Sequence, residues 1–173
     1  MNTSFVLSFS AKDKPGIVEL LSNTISCNGG NWLESAMSHL AGRFVGIVVV
    51  DIATDKKTNL SSAINALAST DLLISFEIID HQQLDDDIEY QSLEIELTGH
   101  DRTGIVNEIS SVLAKHGANV EDLSTELVSG SMSAELLFKA DIHVSIKQGA
   151  DLDDLQEAIE AIADDLMVDI RTD

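Results

Sequence analysis

Two short stretches hold the residue types best suited to binding chemistry. Asp13-Lys14-Pro15-Gly16-Ile17-Val18 and Asp101-Arg102-Thr103-Gly104-Ile105-Val106 each set a carboxylate, a cation and a glycine where a helix should open. A helix start offers unpaired N–H groups and a partial positive charge, which suit an anion. Gly16 and Gly104 let a ligand approach the backbone closely, and Lys14 and Arg102 could add a cation. Asn31 and Asn119 can both donate and accept hydrogen bonds, whereas Asp13 and Asp101 only accept. Each group also has a purely structural reading. The aspartates could cap their helices, worth about 0.5–2 kcal/mol. The glycines could serve turn geometry, and the asparagines could tolerate a left-handed turn.

Other chemistry is poorly supported. His39, His81, His100, His116 and His143 show no metal-ligand spacing, so no metal site is expected. His116 falls on an apolar helix stripe and reads as a core residue. His100, beside the second motif, either contacts a ligand or lies in solvent. Cys27, the only cysteine, lacks an indicated partner base and cannot form an intrachain disulfide. The Asp85–Asp87 run lacks the spacing of a calcium loop and reads as solvated linker. With no nucleophile elbow, phosphate loop or dinucleotide fingerprint, no catalytic residue and no cofactor are expected.

The two stretches belong to a repeat. Shifted by 88 positions, residues 5–52 lie on residues 93–140 without a gap. The identities cluster at Asp13/Asp101, Gly16/Gly104, Ile17/Ile105, Val18/Val106, Ser22/Ser110, Gly29/Gly117, Asn31/Asn119 and Gly42/Gly130. Each copy opens on an alternating strand, Phe5-Leu7-Phe9 or Leu93-Ile95-Leu97. A helix follows, lined by Ile17, Leu20, Leu21 and Ile25, or by Ile105, Ile109, Val112, Leu113 and His116. Pro15 is expected in its first turn, and Gly29 and Gly117 as its left-handed ends. A second strand starts at Asn31 or Asn119 and turns near Gly42 or Gly130. The third strand presents Phe44, Gly46, Val48, Val50 and Ile52 in copy one, and Met132, Ala134, Leu136, Phe138, Ala140 and Ile142 in copy two. A second helix is lined by Leu60, Ile64, Leu67 and Ala68, or by Leu152, Leu155, Ile159, Ile162 and Ala163, with Asp151, Asp153 and Asp154 at the latter's start. Strands over 72–79 and 166–171 close the units.

The expected fold is therefore α+β: two ferredoxin-like βαββαβ domains in tandem, with antiparallel sheets and helices on one face. Residues 1–80 form the first domain, 81–89 a polar linker, and 90–173 the second. In the first copy Val45, Ile47 and Val49 are apolar on the face opposite the core. That pattern fits either an ordinary strand or a packing face for the other domain or a second chain.

Charge narrows the partners. The 173 residues carry a formal net charge of −20. Residues 1–80 hold 5 Lys/Arg and 8 Asp/Glu, a balance of −3; residues 81–173 hold 5 and 22, a balance of −17. Such a surface repels phosphate backbones and anionic membranes, so neither is expected as a partner. The acidity serves solubility or docks a basic protein. With no signal-peptide pattern and no apolar run long enough to span a bilayer, a soluble, cytoplasmic protein is expected.

The doubled D-[KR]-[PT]-G-I-V motif with G-x-N before the second strand resembles tandem ACT domains. The two-domain layout also resembles the glycine cleavage system transcriptional repressor family. The resemblance implies a regulatory protein without catalytic activity that senses an amino acid at a domain interface. Its ligand-contacting positions map to Asp13, Lys14, Pro15, Gly16, Ile17 and Asn31, and to Asp101, Arg102, Thr103, Gly104, Ile105 and Asn119. It further implies action through a DNA-binding activator protein, without reading nucleic acid directly, and a homodimer is compatible with it. Thr103 departs from the proline usual in the motif, which puts equal binding at the two sites in doubt. A constitutive interaction module without a ligand remains the alternative, and an enzyme ranks after it.

Overall fold

The structure is a computed structural model that describes residues 2–78, 89–129 and 136–172. Contacts divide the chain into two compact units, Met1–Gln82 and Gln83–Asp173.

In the first unit, β1 (Asn2–Lys12) leads to α1 (Ile17–Cys27), and β2 (Gly30–Leu40) forms a hairpin with β3 (Arg43–Ala53). A short 3-10 turn precedes α2 (Lys57–Leu67), and β4 (Leu72–Ile78) completes the unit. The sheet order is β2-β3-β1-β4, all antiparallel. The second unit repeats this as β5 (Tyr90–His100), α3 (Ile105–Lys115), β6 (Asn119–Ser129), β7 (Leu136–Lys147), α4 (Leu152–Glu160) and β8 (Met167–Thr172), ordered β6-β7-β5-β8. The expected βαββαβ repeat with helices on one face is present.

Each core is the apolar face of a sheet closed by two helix stripes. Phe5, Leu7 and Phe9 meet Ile17, Leu21, Ile25, Leu60 and Ile64 in the first unit. Leu93, Ile95 and Leu97 meet Ile105, Ile109, Leu113, Leu155 and Ile159 in the second. Leu20, expected on the stripe, is 42% exposed. Gly29 and Gly117 take positive φ beyond their helices, as expected. Asp151 caps α4 by accepting from the Asp154 N–H.

The gapless repeat needs correction. Lys12 pairs with Arg43, and its counterpart His100 pairs with Leu137, so the offset grows from 88 to 94 across the hairpin. The first hairpin turns through Ala41 and Gly42, both at positive φ, a tight geometry suited to strand twist. Six more residues separate the matched strand positions in the second hairpin, the difference between the two offsets, so matching Gly42 to Gly130 gave a false register. The buried face of β7 accordingly runs Phe138, Ala140, Ile142, Val144 and Ile146, while Leu136 is exposed. Met132, Ala134, Gly130 and linker residues 81–88 lie outside the described residues.

Candidate functional site

In both units the strand–helix loop is built on one backbone feature. Gly16 and Gly104 are the residues preceding their helices, at φ 92° and 94°. A side chain there would cost about 1–2 kcal/mol, so the glycine is required by geometry. Leu20 N–H donates to Gly16 O and Glu108 N–H to Gly104 O at 2.9 and 3.0 Å, closing the first helical turn. The N–H groups just inside each helix start have no acceptor within it. Asp13 and Asp101 do not cap: neither helix has a side-chain cap. Pro15 precedes Gly16 and so lies before the helix, not in its first turn.

In the first unit the loop is open. Asp13, Lys14, Pro15, Gly16, Ile17 and Val18, with Glu19 and Phe44, line a depression of about 490 Å³. Lys14 is exposed, and no hydrogen bond or ion pair holds it among the described residues. Asp13 lies 3.5 Å from His39 Nε2 across the exposed surface. Ile17 is 4% exposed, its side chain part of the core. Asn31 is not brought to this place. It sits in β2 and lines a second depression of about 550 Å³ with Ser22, Asn23, Ser26 and Trp32; Glu19 borders both.

In the second unit the loop is closed by its own side chains. Arg102 donates through both terminal nitrogens to Glu108, at 2.9 and 2.5 Å, and its Nη2 also reaches Ile162 O at 3.4 Å. The hydrogen bond to Arg102 holds the Glu108 carboxyl below its ordinary range, and the same bond raises Arg102. The His100 backbone N–H and Nδ1 both meet Asp165 Oδ2, at 2.8 and 2.5 Å. Those bonds, the backbone one foremost, lower the Asp165 carboxyl. Asp101 and Thr103 are exposed and Ile105 is buried. Asn119 donates to Glu121 Oε1 at 2.7 Å, beside Ser145 Oγ at 2.6 Å; the Ser145 and Asn119 bonds lower Glu121. Neither Asn31 nor Asn119 has positive φ, so the left-handed-turn reading of the asparagines falls.

The remaining candidates are structural. His116 is half-buried, with Nδ1 2.8 Å from Val112 O and Nε2 3.2 Å from Asp154, tying α3 to α4. Cys27 ends α1 with its thiol 3.4 Å from Asn23 Oδ1. No metal-binding cluster occurs among the described residues, and none of their helices is long and apolar enough to cross a membrane. Sequence reasoning missed Glu108 and Asp165. The first had a usable signal, an acid one helical turn beyond Gly104 and so beside the loop cation; the second, 65 residues from His100, had none.

A family model described as ACT domain matches residues 3–77 and 91–173. A solved protein of unknown function from Galdieria sulphuraria is 28% identical, with each chain covered at 99% or more and a TM-score of 0.82. A candidate glycine cleavage system transcriptional repressor, 16% identical with 100% of this chain and 99% of that one covered, superposes at a TM-score of 0.70, which shows a shared fold. A UPF0237 protein of Methanopyrus kandleri is 38% identical over 77 residues, 43% of this chain and 81% of the relative.

Proposed function

The chain belongs to the ACT-domain family, and from that premise we propose that it is an amino-acid-responsive regulator, a transcriptional repressor or corepressor acting through a protein partner. The first domain supplies the ligand site, where glycine or another small amino acid binds. One observation carries this reading: the exposed cation Lys14, which has no partner among the described residues, stands beside a helix start in an open depression. The ligand's carboxylate takes the Val18 and Glu19 N–H groups and Lys14. Asp13 accepts from the ammonium group, and Gly16 gives the close approach. The strongly acidic second domain is the face offered to a basic protein partner, since it disfavours nucleic acid. Coupling requires the ligand to favour one arrangement of the chain over another.

The test is thermal unfolding of the full chain with each amino acid, followed by calorimetry for glycine and serine. A ligand at 100 times its dissociation constant stabilises by about 2.7 kcal/mol. Lys14→Ala should weaken the response by about tenfold or more, the worth of one charge-assisted bond. Uniform silence across the amino acids overturns the ligand reading. It would favour the second one, a constitutive interaction module, which the self-satisfied Arg102–Glu108 loop supports.

A further inference from the structure

The helices of each domain cover one sheet face and leave the other bare. Strand register lays out what each bare face carries. In the first domain the central rows are Ser38-Val45-Ser10-Leu73, Ala36-Ile47-Ser8-Ser75 and Glu34-Val49-Val6-Glu77. Ile47 is 51% and Leu73 60% exposed, although both lie in strands. The middle of this face is aliphatic and serine-lined; Glu34 and Glu77 lie on its two edge strands, and its other charges sit at opposite ends of β3. Arg43 and Lys12 form a cationic end; Asp51, bonded by Asn2 and Ser4, forms an anionic one.

The same face of the second domain is unlike it. Its rows read Arg171-Glu94-His143-Asp122, Asp169-Glu96-Asp141-Ser124 and Met167-Thr98-Lys139-Glu126. Six carboxylates against two permanent cations make a surface that would lose hydration against an apolar sheet and repel its own copy.

We propose that the bare sheet face of the first domain binds the same face of a second copy of this chain. Charge sets the geometry. A two-fold axis across the strands at Ile47 reverses β3 on its partner, so that Arg43 meets Asp51 of the other copy and Val45 meets Val49. An axis along the strands would set cation on cation. The arrangement is isologous, each contact occurring twice, and it is the aligned packing of two sheets. Three strands of eleven residues and one of seven, at ~3.3 Å per residue and ~4.8 Å between strands, give roughly 630 Å² per copy. A standard interface uses about 800 Å² a side. The inference stands apart from the ligand reading, because it uses neither strand–helix loop.

Sedimentation equilibrium of the full chain tests it. The parent should be a dimer, and Ile47→Lys, which puts a charge on the axis, should raise the dissociation constant about thirtyfold or more, a central hot-spot loss. Circular dichroism should be unchanged, because position 47 is solvent-exposed within the protomer. Arg43→Asp and Asp51→Arg should each weaken the dimer, and the two together should restore it. A parent that is monomeric at every concentration overturns the proposal. So does a dimer indifferent to Ile47→Lys, or a charge exchange in which the double variant is no better than the single ones.

Discussion

The two strand–helix loops share a backbone and differ in what their cation is doing. Gly16 and Gly104 have nearly the same φ, their helices begin at equivalent residues, and both following isoleucines are buried. Yet no partner holds Lys14 among the described residues, while Arg102 is gripped by Glu108 in the second loop. The position responsible is a single one: where the second domain has Glu108, the first has Leu20. The scaffold of the motif is thus fixed by glycine and a buried isoleucine. Its electrostatic state is set by a residue one helical turn away that the motif does not include.

The comparison first requires that the two domains be equivalent where they should be. Leu21 in α1 and Leu113 in α3 are both fully buried on the core stripe of their helix, and truncating either to Ala should cost its domain about 2–5 kcal/mol. The chain's single tryptophan, Trp32, lies in the first domain, so its fluorescence follows that domain's unfolding. Leu21→Ala should lower the fluorescence midpoint, whereas Leu113→Ala should leave it in place and lower a second transition seen by circular dichroism. If Leu113→Ala shifts the Trp32 signal equally, the domains unfold as one unit and must not be treated separately.

A smaller effect comes from moving the difference itself. Leu20→Glu should give Lys14 a carboxylate partner and make the first loop resemble the second. With Leu20 already 42% exposed, the fold should tolerate the change. Any amino-acid response measured calorimetrically should weaken about tenfold or more, as for loss of the free cation. The reverse change, Glu108→Leu, should free Arg102 and add binding in the second domain. Unchanged affinity in Leu20→Glu would mean that Lys14 has no part in holding a ligand.

Much of the scaffold was legible in the residues. Alternation gave the strands, helical spacing gave Ile17, Leu21 and Ile25 and their counterparts, and the paired motifs marked the loops. What could not be read has definite causes. Identical residues need not share a place: Gly42 turns a tight hairpin, and the longer second connection makes Gly130 no guide to register. Asn31 and Asn119 follow the motif closely in sequence, but Asn31 lines a different depression and Asn119 is held by Glu121. Partnerships across folded distance leave no local pattern. The loop at His100 meets Asp165 only because β5 and β8 pair, an arrangement that depends on the whole domain.

That last contact provides the gentlest test of the asymmetry, through pH. Hydrogen bonds from His100, the backbone N–H foremost, hold the Asp165 carboxyl below its ordinary range. A carboxyl depressed by folding binds fewer protons in the native than in the unfolded state. Its contribution to stability is therefore complete above the ordinary carboxylate pKa and is lost as pH falls through the depressed folded value. The advantage of the parent over Asp165→Asn in thermal unfolding should accordingly shrink as pH falls through that range. The transition that shifts should be the second domain's, with Trp32 fluorescence following its own course at every pH. A gap between parent and variant that stays constant, or widens in acid, would mean that the ionised carboxylate contributes nothing to closing the second loop. The closure would then rest on Arg102 and Glu108 alone.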